Sequence, residues 1–202
     1  MIRSGMPWTL ALLSAIAANA FAGDGKETRV SGTISLWGGN TAVEGDVIGA
    51  RLKLHVPVGQ GNHWSVSPGL GYGYGHAELT SSTPPLPSNH SQYTTSYWDT
   101  MLDFLYSGGD DGFYCGPGLF YSPSKVTQTL TGTPDVTFKP WTFGAQLTVG
   151  GGIPLGPKFG LTGSMTQRAG FTKNDRNTPS TESKSSGITH STQFSVGLRV
   201  RF

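Results

Sequence analysis

The chain has 202 residues, enough for one domain plus a targeting segment, and charged residues make up only 13% of it, about half the usual share for a soluble domain. Its 30 glycines and a mean hydropathy of −0.21 exclude a bundle of membrane helices. A net charge of +2, with 14 Lys and Arg that form no long run, gives no case for a nucleic-acid partner.

The first element in chain order is an export signal. Arg3 supplies the positive start and Met6 to Ala18 an apolar stretch too short to span comfortably as a helix. Ala18-Asn19-Ala20 and Ala20-Phe21-Ala22 both fit the small-x-small cleavage rule. The expectation is a cleaved signal over residues 1–22 and one domain over 23–202.

Beyond it the hydrophobic period is two, the signature of strands. Val30 to Gly38 carries Val30, Ile34 and Leu36. Asp46 to Val58 sets Ala50, Leu52, Leu54, Val56 and Val58 against Gly49, Arg51, Lys53 and His55. His63 to Gly75 sets Trp64, Val66, Leu70, Tyr72 and Tyr74 against Ser65, Ser67 and three glycines. Tyr93 to Tyr106 places Trp98, Leu102, Phe104 and Tyr106 opposite Asp99, Met101, Asp103 and Leu105. Gly112 to Ser122, Pro140 to Gly151 and Lys158 to Phe171 follow the same rule. The last run places Phe194, Val196, Leu198, Val200 and Phe202 on one face, with Ser195, Gly197, Arg199 and Arg201 on the other. These are eight strands, each able to cross a bilayer at a tilt.

The connections at 60–62, 107–111 and 152–157 are short and rich in turn residues, whereas 77–92, 123–139 and 172–188 are long and rich in Ser, Thr and Pro. Such alternation predicts an all-β, eight-stranded antiparallel up-and-down transmembrane barrel, with short periplasmic turns and long outer loops. Pro68 and Pro117 fall mid-strand, where a missing N–H predicts a bulge or local bend.

A soluble barrel alternates too, with its apolar face inward. Here the polar face is rich in Gly and carries several charges, and aromatics gather near strand ends. Trp37, Tyr72, Tyr74, Tyr121, Trp141 and Phe171 fall at the outer end, and Trp64, Tyr106, Phe113, Phe159 and Phe202 at the inner end. Two such girdles belong to membrane interfaces. The spaced row Phe194, Val196, Leu198, Val200, Phe202 resembles the C-terminal assembly signal of bacterial outer-membrane proteins. With the export signal and eight-strand plan, the mature chain resembles the small OmpA-like, OmpX-like and OmpW-like barrels, without a following peptidoglycan-binding domain. The resemblance implies a bacterial outer-membrane location, export through the periplasm, and recognition of Phe202 by the barrel-assembly machinery.

With the faces so assigned, Arg51, Lys53, Asp99, Asp103 and Arg199 point into the lumen and Arg201 to its inner rim. Arg51 and Asp99 lie at similar depth, and Lys53 and Arg199 lie nearer Asp103. An eight-strand lumen is just filled by side chains, so these charges are expected to pair into a plug. No P-loop, G-x-S-x-G or H-E-x-x-H is present. His190 and Ser191 invite comparison with lipid A-modifying barrels, but adjacent strand residues point to opposite faces. The single cysteine, Cys115, reads as a small apolar residue, and no spacing suggests a metal. The expected protein is therefore a monomeric, non-catalytic barrel without cofactor, in contact with outer-membrane lipid, that supports the envelope or presents its loops. No motif names a surface ligand. A narrow channel for small or hydrophobic solutes is the alternative, and a lipid A-modifying enzyme a more distant one.

Overall fold

Alternation of apolar and small polar residues builds nine antiparallel strands in the computed structural model: β1 (Ser31–Thr41), β2 (Gly45–Val58), β3 (Trp64–Ser81), β4 (Asn89–Ser107), β5 (Tyr114–Leu130), β6 (Val136–Phe138), β7 (Trp141–Pro154), β8 (Phe159–Asp175) and β9 (Lys184–Arg201). The structure describes residues 30–41, 45–58, 63–81, 89–107, 112–130, 135–175 and 184–202. The export segment expected over 1–22 lies outside them.

Eight strands close a ring in the order β1–β2–β3–β4–β5–β7–β8–β9. The closing seam pairs β9 with β1 from Ser31↔Arg201 to Thr41↔Ser191, and the Phe202 amide donates to the Val30 carbonyl at 3.0 Å. The ninth strand adds no stave. β6 pairs with β5 at Val126↔Phe138, in the register that pairs Pro123 with Trp141 of β7. The Ser124 amide bonds the Pro140 carbonyl between the two at 2.8 Å. β6 is thus the outer continuation of β7, interrupted where Pro140 lacks an N–H.

Neither proline inserts a bulge residue; the local irregularity expected there takes the form of a gap in one ladder. β2 and β3 pair at Lys53↔Gly69 and again at Val56↔Val66 with no residue inserted, and Pro68 pairs with Leu102 on its other side. Pro117 behaves alike: Asp103↔Gly118 and Tyr106↔Cys115 flank it in one register, and Pro117↔Leu147 is regular. Each proline locally interrupts the ladder on the side its nitrogen faces, and register survives because the other neighbour is fully paired.

The long connections are also shorter than their composition implies. β3 and β4 stay paired out to Ser81↔Asn89, and β8 and β9 out to Asp175↔Lys184. Toward these ends the apolar alternation that marks a strand fades from the sequence. Threonine keeps the strands extended, and its hydroxyls pair across them, as in Thr142···Thr172 at 2.8 Å and Thr172···Thr189 at 3.1 Å.

Outside the barrel stand Ile34, Leu36, Ile48, Leu52, Leu70, Leu119, Leu147, Phe194, Val196 and Leu198, all exposed. Inside lies a polar and aromatic fill, with Trp37, Val47 and Tyr97 packed together toward the outer mouth. A protein that buries Asp and Arg while exposing Leu and Ile is folded for an apolar solvent.

Candidate functional site

Period two aims Arg51 and Lys53 of β2 and Asp99 and Asp103 of β4 into the lumen. No side chain of Asp99 or Asp103 reaches solvent. An ionised carboxylate there requires full compensation. Asp99 has it. Arg168 of β8 donates two bonds, Nη2 to Oδ2 at 2.7 Å and Nη1 to Oδ1 at 3.1 Å. Arg51 Nη2 adds a third at 3.2 Å, and Ser122 Oγ a fourth at 2.7 Å. The fork of Arg168 suits a carboxylate's two oxygens, which a lysine could not match.

Asp103 is held by Lys53 Nζ at 2.6 Å and by the Gln146 side-chain amide. The Gln146 carbonyl then accepts from Arg168 Nε at 2.9 Å, joining the two acid centres. Arg51 also donates to Gln193 at 2.6 Å. The result is one chain of contacts, Lys53–Asp103–Gln146–Arg168–Asp99–Arg51–Gln193, anchored on β2, β4, β7, β8 and β9. Gly118 of β5 makes room for Asp103, since a Cβ there would meet the Asp103 carboxylate and the Leu102 carbonyl.

Aromatic faces complete the cation shells. The Arg168 guanidinium lies 4.5 Å from the Phe120 ring centroid, and that of Arg51 lies 5.4 Å from Trp37. Trp37 in turn packs on Tyr97 at 5.6 Å between centroids. Both rings occupy space that Cβ atoms at Gly49 and Gly73 would fill. Nearer the inner mouth, His55 bonds Thr33 Oγ1 at 3.0 Å and Ser67 Oγ at 2.8 Å, and Arg199 stands 5.5 Å from the Tyr114 ring centroid. Arg201 donates to the Pro157 carbonyl at 3.3 Å, at the rim. Among the described residues no group of three His, Cys, Asp or Glu side chains is arranged to hold a metal ion.

A closed barrel with an apolar outside and charged inside has few homes other than a bilayer. The family model for the outer-membrane protein β-barrel domain matches residues 8–202. The chain belongs to that family. This outer-membrane barrel is similar in fold to Ail, the attachment invasion locus protein of Yersinia pestis, solved with the heparin analogue sucrose octasulfate. The two share 12% identity and a TM-score of 0.54, over 87% of this chain and 99% of that one. A major outer-membrane protein from Thermus thermophilus matches at 16% identity and a TM-score of 0.51, covering 86% and 99% of the two chains. No curated protein is similar enough in sequence to match.

The remaining sequence-predicted positions of the outer-membrane barrel separate into two groups. Trp64, Tyr72, Tyr74, Tyr106, Phe113, Tyr121, Phe159 and Phe171 are exposed on its outside. Trp141 joins them between Tyr121 and Phe171, at 6.2 and 6.4 Å. Trp37 does not belong to the girdle. It shares the parity of Ser31, Thr33 and Ser35 and is 3% exposed, inside the lumen. A tryptophan that does stand outside is Trp98 of β4, which packs edge-on against Tyr72 at 5.3 Å. Phe194, Val196, Leu198 and Phe202 line the outside of the closing strand. His190 is exposed and pairs in register with Ala169, with Ser191 on the opposite face.

Arg168 is the network residue that the sequence reading omits. It has the parity of Thr162, Ser164 and Thr166, and continuing the alternation past Thr166 places it inward. Gln146 and Gln193 follow the same parity rule and stand out less only because they are uncharged.

Proposed function

We propose that this barrel is a closed, non-catalytic, monomeric component of the outer membrane. It stabilises the envelope or presents its outer hairpins at the cell surface, and it has no cofactor. The single observation that carries this reading is the continuous network from Lys53 to Gln193, which crosses the lumen between opposite walls with both carboxylates wholly buried. A lumen filled in this way leaves no column of water for a solute. The alternation of the closing strand supports assembly through the outer-membrane insertion machinery after periplasmic export, with Phe202 as the terminal aromatic recognised.

Planar-bilayer recording tests the closed state. The wild type should insert without persistent, well-defined unitary conductance. Reproducible single-channel steps from the purified barrel would favour the narrow-channel alternative. Mass spectrometry of lipid A from cells with and without the protein should show unchanged acylation, and a lost acyl chain that depended on His190 would make it an enzyme.

A further inference from the structure

The outward faces are not equivalent in charge. β1 to β4 place no lysine or arginine outside the barrel, since Arg51 and Lys53 are buried within it. β5 to β8 carry Lys125, Lys139 and Lys173 on their outer ends. The register that pairs Pro123 with Trp141 and Val126 with Phe138 sets Lys125 directly opposite Lys139. Both are exposed, and among the described residues neither forms an ion pair. Two like charges on facing strand positions repel at about 5 Å. On β8, Lys173 pairs in register with Trp141.

Depth identifies what meets these lysines. Trp98 and Trp141 mark the outer interface, where indole rings sit at headgroup level. Lys125 and Lys139 stand two residues above them, about 6–7 Å at the strand rise. Below the tryptophans an apolar furrow starts on this face between Tyr121 and Phe143 and crosses the small Thr100 onto Leu102, Leu70 and Leu52 of β4, β3 and β2. A cationic pair at phosphate height above an apolar furrow matches a phosphorylated lipid, head above and chain below.

We propose that the β4–β7 face binds a phosphorylated lipid of the outer leaflet. Lys125 and Lys139 clasp the phosphate, and an acyl chain lies along the furrow over Thr100. The anion removes the repulsion between the facing ammonium groups, and its lipid chain replaces mobile lipid in the groove. This goes beyond a structural role, because it gives one side of the barrel a specific lipid neighbour.

Native mass spectrometry of the full barrel in detergent tests it with bis-phosphorylated lipid A, its dephosphorylated form and inorganic phosphate. The wild type should retain the phosphorylated lipid about tenfold or more over the dephosphorylated one. K125Q/K139Q should bring the two within about twofold, while K125R/K139R keeps the preference. Thr100→Trp should fill the furrow and weaken retention of both lipids, with the phosphate preference kept. Heat-modifiable gel migration checks that each variant is folded. Equal retention of both lipids by the wild type, an unchanged preference in folded K125Q/K139Q, or displacement by millimolar inorganic phosphate would each overturn the proposal.

Discussion

Lys53 and Asp103 show what a charge costs and contributes inside a barrel. Both are buried, 2.6 Å apart, with Asp103 inaccessible to solvent. Asp103→Ala leaves an ammonium group in a low-dielectric lumen and strands the Gln146 amide, a loss of about 3–5 kcal/mol. Asp103→Leu with Lys53→Met removes both charges at similar volume and should recover most of that loss, because a buried pair roughly balances its own desolvation. Urea unfolding of the detergent-solubilised barrel measures both. The single and double changes should be strongly non-additive, and simple additivity would mean that the two groups do not act as a pair.

At the level of elements, the closing seam governs whether the barrel forms. β9 is the partner of both β1 and β8, so its arrival creates two ladders at once. Phe202 ends it. Its ring lies against the backbone of Gly32, where a Cβ would come within 3.5 Å of Cε2. Phe202→Ala removes an exposed ring and little packing, so the folded barrel should lose no more than about 1 kcal/mol. Delivery to the membrane should suffer more. In cells the heat-modifiable fraction should fall several-fold, while refolding of the purified chain into detergent proceeds nearly as for the wild type. Equal loss in both settings would assign Phe202 to packing instead of assembly. These elements were legible in the sequence wherever one face met lipid, since Leu198 and Arg199 cannot exchange faces in a bilayer. Legibility stopped where the apolar alternation ends: Asn89-His90-Ser91-Gln92 of β4 and Lys184-Ser185-Ser186-Gly187 of β9 put no large apolar residue on either parity. It also failed for Trp37, whose chemistry suits an interface but whose parity with Ser35 sends it inward. Arg168 lies inside a run that Phe171 carries on, and the alternation had only to be followed two residues past Thr166 to send it inward.

For the whole molecule, the proposed closure rests on two layers of different physics. The lower is ionic, from Lys53 through Asp99 to Gln193. The upper is the packed trio Trp37, Val47 and Tyr97, lying on the glycine surface of Gly49 and Gly73. Arg51 joins them by standing against the Trp37 ring while bonding Asp99. Removing only one layer should therefore leave the lumen shut. Asp99→Ala with Arg168→Ala deletes the central acid and its forked partner, yet Trp37 and Tyr97 still cover the bore, so stability should drop without steady conductance. Trp37→Ala alone opens the cover above an intact ionic layer and should also stay silent. The triple variant removes both and should give persistent unitary steps in planar bilayers. The remaining fixed charges, Arg51, Lys53 and Arg199 against Asp103, make such a pore anion-selective. That selectivity shows as a reversal potential displaced toward chloride in a salt gradient. Conductance from either partial variant would collapse the two layers into one, and cation selectivity in the triple variant would mean that the lumen charges do not line the path.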